Sequence, residues 1–394
     1  MIALTELPLS NYRQKYEQEL FERVIPFWEN YSPDRENGGY FNCLDRSGKA
    51  YDRKKYVWLQ GRQTWMFAKL YSTVEPKAEW RNLALLGIDF LRNRAVNTDG
   101  RVYFCVSETG EPVYLQRKIF SECFYAMALA ECGRISERPE LLREAEEMLA
   151  KIWEWAFDWS KLGRPSFSGA DVGQSLAVPM ILLNLIDEIA GEGWARYRAE
   201  IDDCIRRVRL HCSAEERCVR EFVAPDGSVI DTPEGRLLNP GHAIEAGWFL
   251  QHWAQRLQRP ELSQLAIDMV HWSFELGWDY EYGGIYYFLD VGGFSPTQLE
   301  WFMKLWWVHC EALYAHLLNF SLTRDPADWD KFVRTDTYTF EHFSDPQYGE
   351  WYGYLDRRGS ITHSLKGGPY KGCFHVPRAL LLCWQLLQKL ETET

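Results

Sequence analysis

The chain has 394 residues, 46% hydrophobic and 15% aromatic, with 18 Trp; such a composition belongs to a folded protein with a large core and ring-lined surfaces, not to a disordered or fibrous chain. Lys and Arg number 44 against 56 Asp and Glu, a net charge of −12 with no basic run, which argues against nucleic-acid or acidic-membrane partners and for a neutral or weakly charged small ligand. No segment reaches about 18 uncharged apolar residues and the first 20 residues hold no signal-peptide core, so a cytoplasmic protein is expected, its ten scattered cysteines reduced and, without a CxxC pair, no zinc or disulfide framework.

Apolar residues recurring at three and four predict helices over 12–28, 56–71, 78–94, 117–132, 139–157, 171–189, 195–212, 240–256, 260–274, 299–320, 326–343 and 372–390, twelve in all. Between alternate helices lie short stretches that alternate aromatic or β-branched residues around a Gly-containing turn. They start at Gly38, Gly100, Gly163, Val219, Gly283 and Gly349, steps of 62, 63, 56, 64 and 66 residues. Each reads as a small hairpin, the third one short, and the regular step makes six repeats of helix, hairpin, helix. The helix after each hairpin is apolar nearly all round, as in VPMILLNLI from Val178 and HVPRALLLCW from His375. Burial on both sides implies a closed ring, an all-α (α/α)6 barrel forming one domain over residues 1–394 with short β-hairpins at one end.

The repeat gives the polar residues near the starts of the inner helices a common address, one mouth of the barrel. In NPGHAIEAGWFL, Asn239 can cap a helix whose first residue is Pro240, and His242 and Glu245 share a face of its first turn. An isolated HxxE is equally a surface pair, so the neighbours decide. Arg62, Lys304, Trp307, Glu311, His375 and Arg378 fall at matching positions, with Lys304, Trp307 and Glu311 at i, i+3 and i+7. Charged residues on otherwise apolar inner helices are costly unless they pair or line a wet pocket. His211, His252, His271, His309, His316, His342 and His363 read as solvated or core-satisfied. Glu122 reads as a buried partner for Arg62 or Arg117, and GGPYKG from Gly367 lacks phosphate-loop spacing.

Four motifs, KKYVWLQGRQTWMF around Arg62, NPGHAIEAGWFL around His242, KLWWVHCEAL around Glu311 and KGCFHVPRAL around His375, resemble the N-acylglucosamine 2-epimerase family, also called the renin-binding protein family, and the likeness runs over essentially the whole chain. The resemblance implies the same barrel, interconversion of N-acetyl-D-glucosamine and N-acetyl-D-mannosamine, ATP as an unconsumed allosteric activator, and a homodimer. Cellobiose 2-epimerases and aldose-ketose isomerases resemble the chain in the His242 and His375 motifs but carry a further histidine on the sixth helix, where this sequence has Leu182 and Leu183. That departure favours the N-acyl sugar subgroup.

Epimerisation at carbon 2 of the open-chain sugar needs one group to remove a proton α to the aldehyde and another to return one to the opposite face. Histidine, with an ordinary pKa of roughly 6.5, does either. His242 and His375 are the expected pair, with no metal and no redox cofactor. Arg62 is the expected donor to the enolate oxygen with Arg378 second. Glu245 and Glu311 are expected to orient the imidazoles or hold sugar hydroxyls, with Lys304 also at the substrate and Trp307 or Phe374 stacking on it. The rivals are an inverting glycoside hydrolase using Glu245 and Glu311, and a non-catalytic binding protein.

Overall fold

The structure, a computed structural model, describes residues 4–165, 167–170 and 172–393. Ser166 of the expected third hairpin and Asp171, where the sixth helix was expected to start, lie outside them. The first helical position is split. Helices α1 (Leu9–Gln18) and α2 (Ile25–Tyr31) are joined by a π-helical stretch, Glu19–Val24. Pro26 in the first turn of α2 supplies no N–H and crowds the carbonyl four residues back, which accounts for the widened turn. Then come α3 (Val57–Thr73), α4 (Ala78–Arg94), α5 (Phe120–Ile135), α6 (Pro139–Ala156), α7 (Ala177–Ala190), α8 (Arg198–Leu210), α9 (Pro240–Leu257), α10 (Pro260–Gly277), α11 (Trp306–Thr323), α12 (Pro326–His342) and α13 (His375–Thr392).

Helices α3, α5, α7, α9, α11 and α13 form the inner ring, each packed on the next. The ring closes where Phe374, at the head of α13, meets Trp65 of α3 edge-on at 5.5 Å. Every residue of α11 from Trp306 to Phe320 is buried, whereas outer α6 buries only the stripe Leu141, Ala145, Met148, Leu149, Ile152 and Ala156. That contrast is the difference between a helix with neighbours all round and one with water on its far side. The fold is an (α/α)6 barrel. Nine of the ten cysteines are buried and all are free thiols. Among the described residues, no helix is long and apolar enough to cross a membrane.

The strands, two or three residues each, do more than form isolated hairpins. Lys55–Tyr56, just ahead of α3, pairs with Cys105–Val106 of the second hairpin; Gln174–Ser175 pairs with Phe222–Val223; Leu237–Leu238 pairs with Leu289–Asp290; Lys304–Leu305 pairs with Tyr354–Leu355. The strand leading into an inner helix is thus stitched to the hairpin of the following repeat, which sets the heads of the inner helices around the mouth. It also corrects the expected helix over 299–320: its first residues are loop and strand, and α11 starts at Trp306. A short apolar run such as MKLWWV has no period that separates strand from helix.

Lys304 therefore lies outside the helix face it was expected to share with Trp307 and Glu311. Its ammonium is fully buried, 3.0 Å from Asp279 Oδ2 and 2.9 Å from the Gly283 carbonyl. The same clasp recurs. Lys55 donates to Asp34 and the Gly38 carbonyl, and Lys366 bridges Asp345 and the Glu350 carbonyl. Lys55 and Lys304 each tie a glycine turn to the strand just ahead of an inner helix, and Lys366 holds its turn from the loop after His363. Burial pulls Lys304 down to about 8, against the pull of Asp279, so it remains a cation at neutral pH. Lys304→Met leaves the buried Asp279 with Arg357 and two backbone N–H donors, and is expected to cost about 1–3 kcal/mol in urea unfolding while kcat of the folded fraction is unchanged. A catalytic defect at full stability would return Lys304 to the site.

Candidate active site

Helix α9 begins as its sequence dictates. Asn239 Oδ1 accepts the His242 N–H at 3.2 Å and Pro240 is the first helical residue. Gly241 has no Cβ because one would meet the Trp307 ring at 2.4 Å; this close approach brings His242 beside that indole. Trp307, in the first turn of α11, lies 5.4 Å from the His242 ring and 5.8 Å from the His375 ring, so one indole touches both imidazoles. His375 is the first residue of α13.

Each imidazole is held through Nδ1 by a carboxylate, which leaves Nε2 for chemistry. His375 Nδ1 donates to Glu311 Oε1 at 2.7 Å. Glu311 is fully committed: Oε1 also accepts from Arg378 Nη2 at 2.7 Å and Oε2 from Trp248 Nε1 at 2.8 Å. His242 Nδ1 donates to Glu221 Oε2 at 2.9 Å, not to Glu245. Glu245 instead accepts from Arg378 at 2.6 Å, so the HxxE spacing placed the carboxylate on the right face and gave it the wrong partner. Glu221 is the residue that sequence reasoning missed. No local signal marked it: Arg220 and Glu221 lie between the strands Cys218–Val219 and Phe222–Val223, where the two-residue alternation is broken.

The two imidazoles are biased oppositely. Burial opposes charge on His242, but Glu221, with Glu245 and Glu311 behind it, outweighs this and holds it above its ordinary value. Burial, then the Arg62 and Arg378 cations, pushes His375 well below its ordinary value. Opposite biases of this kind suit one imidazole to the role of base and the other to that of acid.

Arg62, in the second turn of α3, has no carboxylate in contact among the described residues. Its guanidinium lies 4.1 Å from the Phe124 ring, 4.4 Å from Trp58 and 4.9 Å from Phe374, and its buried Nε has no partner. Burial pulls it down to about 9, which keeps it cationic at neutral pH. A buried cation held by ring faces with unspent donors suits an oxyanion. Arg378, expected second for that role, directs one nitrogen, Nη2, at both Glu245 and Glu311. Phe374, expected to stack on substrate, is only 2% exposed and packs on both guanidiniums. Trp307 lies beside both histidines.

Glu245, Glu311 and His375 could bridge a divalent cation, their ligand atoms lying within 4.8 Å of one another, but Arg378 Nη2 already sits between the two carboxylates, bonded to one oxygen of each. The other candidates are accounted for. Glu122 pairs with Arg101, not with Arg62 or Arg117. His309 donates to Leu305 O and accepts from Ile285 N. His271 and His316 share Asp328 Oδ1, a clasp of α10, α11 and α12. In the Gly367 loop, Lys371 is bound to Glu350 and Lys366 O, which leaves it no role as a phosphate cradle.

An (α/α)6 barrel whose mouth sets two carboxylate-backed imidazoles against an aromatic-stacked arginine defines an acid–base isomerase class of site. The family model described as N-acylglucosamine 2-epimerase (GlcNAc 2-epimerase) matches residues 39–379. The chain is 44% identical over 396 residues to N-acylglucosamine 2-epimerase of Mus musculus, covering 97% of this chain and 94% of that protein, and 44% identical over 391 residues to that of Homo sapiens, covering 97% and 91%. Among solved structures, cellobiose 2-epimerase from Bacillus thermoamylovorans superposes with a TM-score of 0.83 at 20% identity, over 96% of this chain and 100% of that one. This chain belongs to the N-acylglucosamine 2-epimerase family.

Proposed function

We propose that the protein is an isomerase that interconverts N-acetyl-D-glucosamine and N-acetyl-D-mannosamine, with residues 1–394 as one catalytic domain. The observation that carries the reading is the pair of imidazoles, each fixed through Nδ1 and reached by one indole. The Nε2 of one imidazole takes the C2 proton of the open-chain sugar. The C–H electron pair becomes the C1=C2 double bond and the aldehyde oxygen becomes an oxyanion facing Arg62. The other imidazolium then protonates C2 from the opposite face and the aldehyde re-forms. Each base is worth roughly 10²–10⁴-fold and one oxyanion donor about 2.7–4 kcal/mol. With His375 biased neutral and His242 biased protonated, the first proton goes to His375 for the epimer whose C2 hydrogen faces it.

A glycoside hydrolase would need two free carboxylates on either side of a bond. Glu245 and Glu311 are instead bound to the same Arg378 nitrogen. Activation by ATP, a homodimer and a cytoplasmic location rest on the resemblance and on the composition. The test is to incubate the protein with N-acetylmannosamine in D₂O and follow C2 by NMR, with and without ATP. Deuterium at C2 with appearance of the gluco epimer is expected, faster with ATP and without ADP release, from a particle of twice the 46.3 kDa chain mass. A ketose product would mean an aldose-ketose isomerase, and no exchange would sink both.

A further inference from the structure

The two histidine–carboxylate pairs differ in how they meet water. The His375 side chain is 9% exposed and Glu311 2%, and every Glu311 oxygen is committed to Arg378, Trp248 or His375 itself. The His242 side chain is 28% exposed and Glu221 13%. Besides His242, Glu221 takes one side-chain bond, from Ser175 Oγ at 2.9 Å on its other oxygen. Its backbone is fixed on both sides, the N–H donating to Leu237 O and the carbonyl accepting from Leu176 N, each at 2.9 Å. Glu221 is thus strung between the strand before α9 and the head of α7, a rigid post at the wetter side of the mouth.

We propose that Glu221, steadied by Ser175, is a positioning residue that makes His242 the solvent-exchanging base of the pair, while His375 is a sheltered base; this rests on the two-histidine reading above. A proton received by His242 sits on an imidazolium whose counter-charge is an un-neutralised carboxylate at the solvent edge, and it is replaced from water before it returns to carbon. A proton received by His375 is shut in by Trp307, Phe374 and the Arg378 network and returns as the original atom. The other charged or titratable groups around His242 are Glu245 on its own helix, Glu311 on α11 and His375 on α13, with His211 and Tyr287 behind Glu221. Glu221 is the carboxylate among them that bonds the His242 ring.

The experiment starts reactions in D₂O from each epimer separately and measures deuterium at C2 of the unconverted substrate at low conversion. One epimer is expected to gain deuterium ahead of its conversion and the other to remain protiated. Glu221→Gln keeps an acceptor for Nδ1 and removes the charge. It is expected to lower kcat on the order of 10–10²-fold with little change in KM, and to move the alkaline limb of kcat/KM to lower pH. Glu221→Asp is expected to restore that limb. Equal wash-in from both epimers, or an unmoved limb in Glu221→Gln, overturns the assignment while leaving epimerisation intact. Absence of C2 exchange from either epimer overturns the epimerase reading with it.

Discussion

His375→Asn loses epimerisation by at least 10²–10⁴-fold, the contribution of one positioned base, yet still exchanges the C2 proton of a single epimer with solvent. The remaining His242 removes the proton from the epimer that faces it and returns a deuteron to the same face, so label enters without inversion. His242→Asn is the mirror case and leaves only the sheltered base, so its residual exchange is expected to be the slower of the two. Asparagine suits the test at position 375 because its amide can still donate to Glu311 and keep that carboxylate from being stranded beside Arg378. The readout is NMR at C2 from both epimers, beside a urea melt to confirm folding. Wild-type epimerisation in either variant removes that histidine from the mechanism.

The architecture was legible because a six-fold repeat is a strong signal: residues that pack alike must be spaced alike, and the hairpin turns at Gly38, Gly100, Gly283 and Gly349 all sit at positive φ. The address of the site followed from it, since heads of inner helices have to open at a common end. Pairings were not legible. Which carboxylate serves His242 depends on Glu221, 21 residues upstream in a hairpin, and the hairpin's placement depends on strands laced between repeats, which no local period encodes. Lys304 misled for a related reason, since helical spacing was counted through a residue that is extended. The fragments DRENGG ahead of Lys55 and DYEYGG ahead of Lys304 carried the better signal. An Asp, a glycine turn and a later Lys recur in three repeats because each hairpin needs its turn anchored.

Arg378→Met is expected to change both stability and the acid side of the pH profile, because one guanidinium nitrogen serves two buried carboxylates. Without it, Glu245 and Glu311, 7% and 2% exposed, lose the cation bonded to both, and Glu311 keeps only its bonds from Trp248 and His375. Breaking such a buried network costs about 3–5 kcal/mol, seen as a lower urea midpoint. His375 is held below its ordinary value first by burial, then by Arg62 and Arg378, so removing one cation lets its pKa rise. The base must be neutral to act, hence the acid limb of kcat/KM moves to higher pH. The same shift has a stability sign. In the wild type His375 binds a proton more readily unfolded than folded, so its contribution is present above roughly pH 6.5 and is lost as pH falls toward the depressed folded value. Arg378→Met narrows that gap and flattens the loss. Arg378→Lys keeps the charge and is expected to hold the acid limb near the wild-type position. An acid limb that stays fixed in Arg378→Met would mean that burial alone sets His375, leaving Arg378 as a structural cation only.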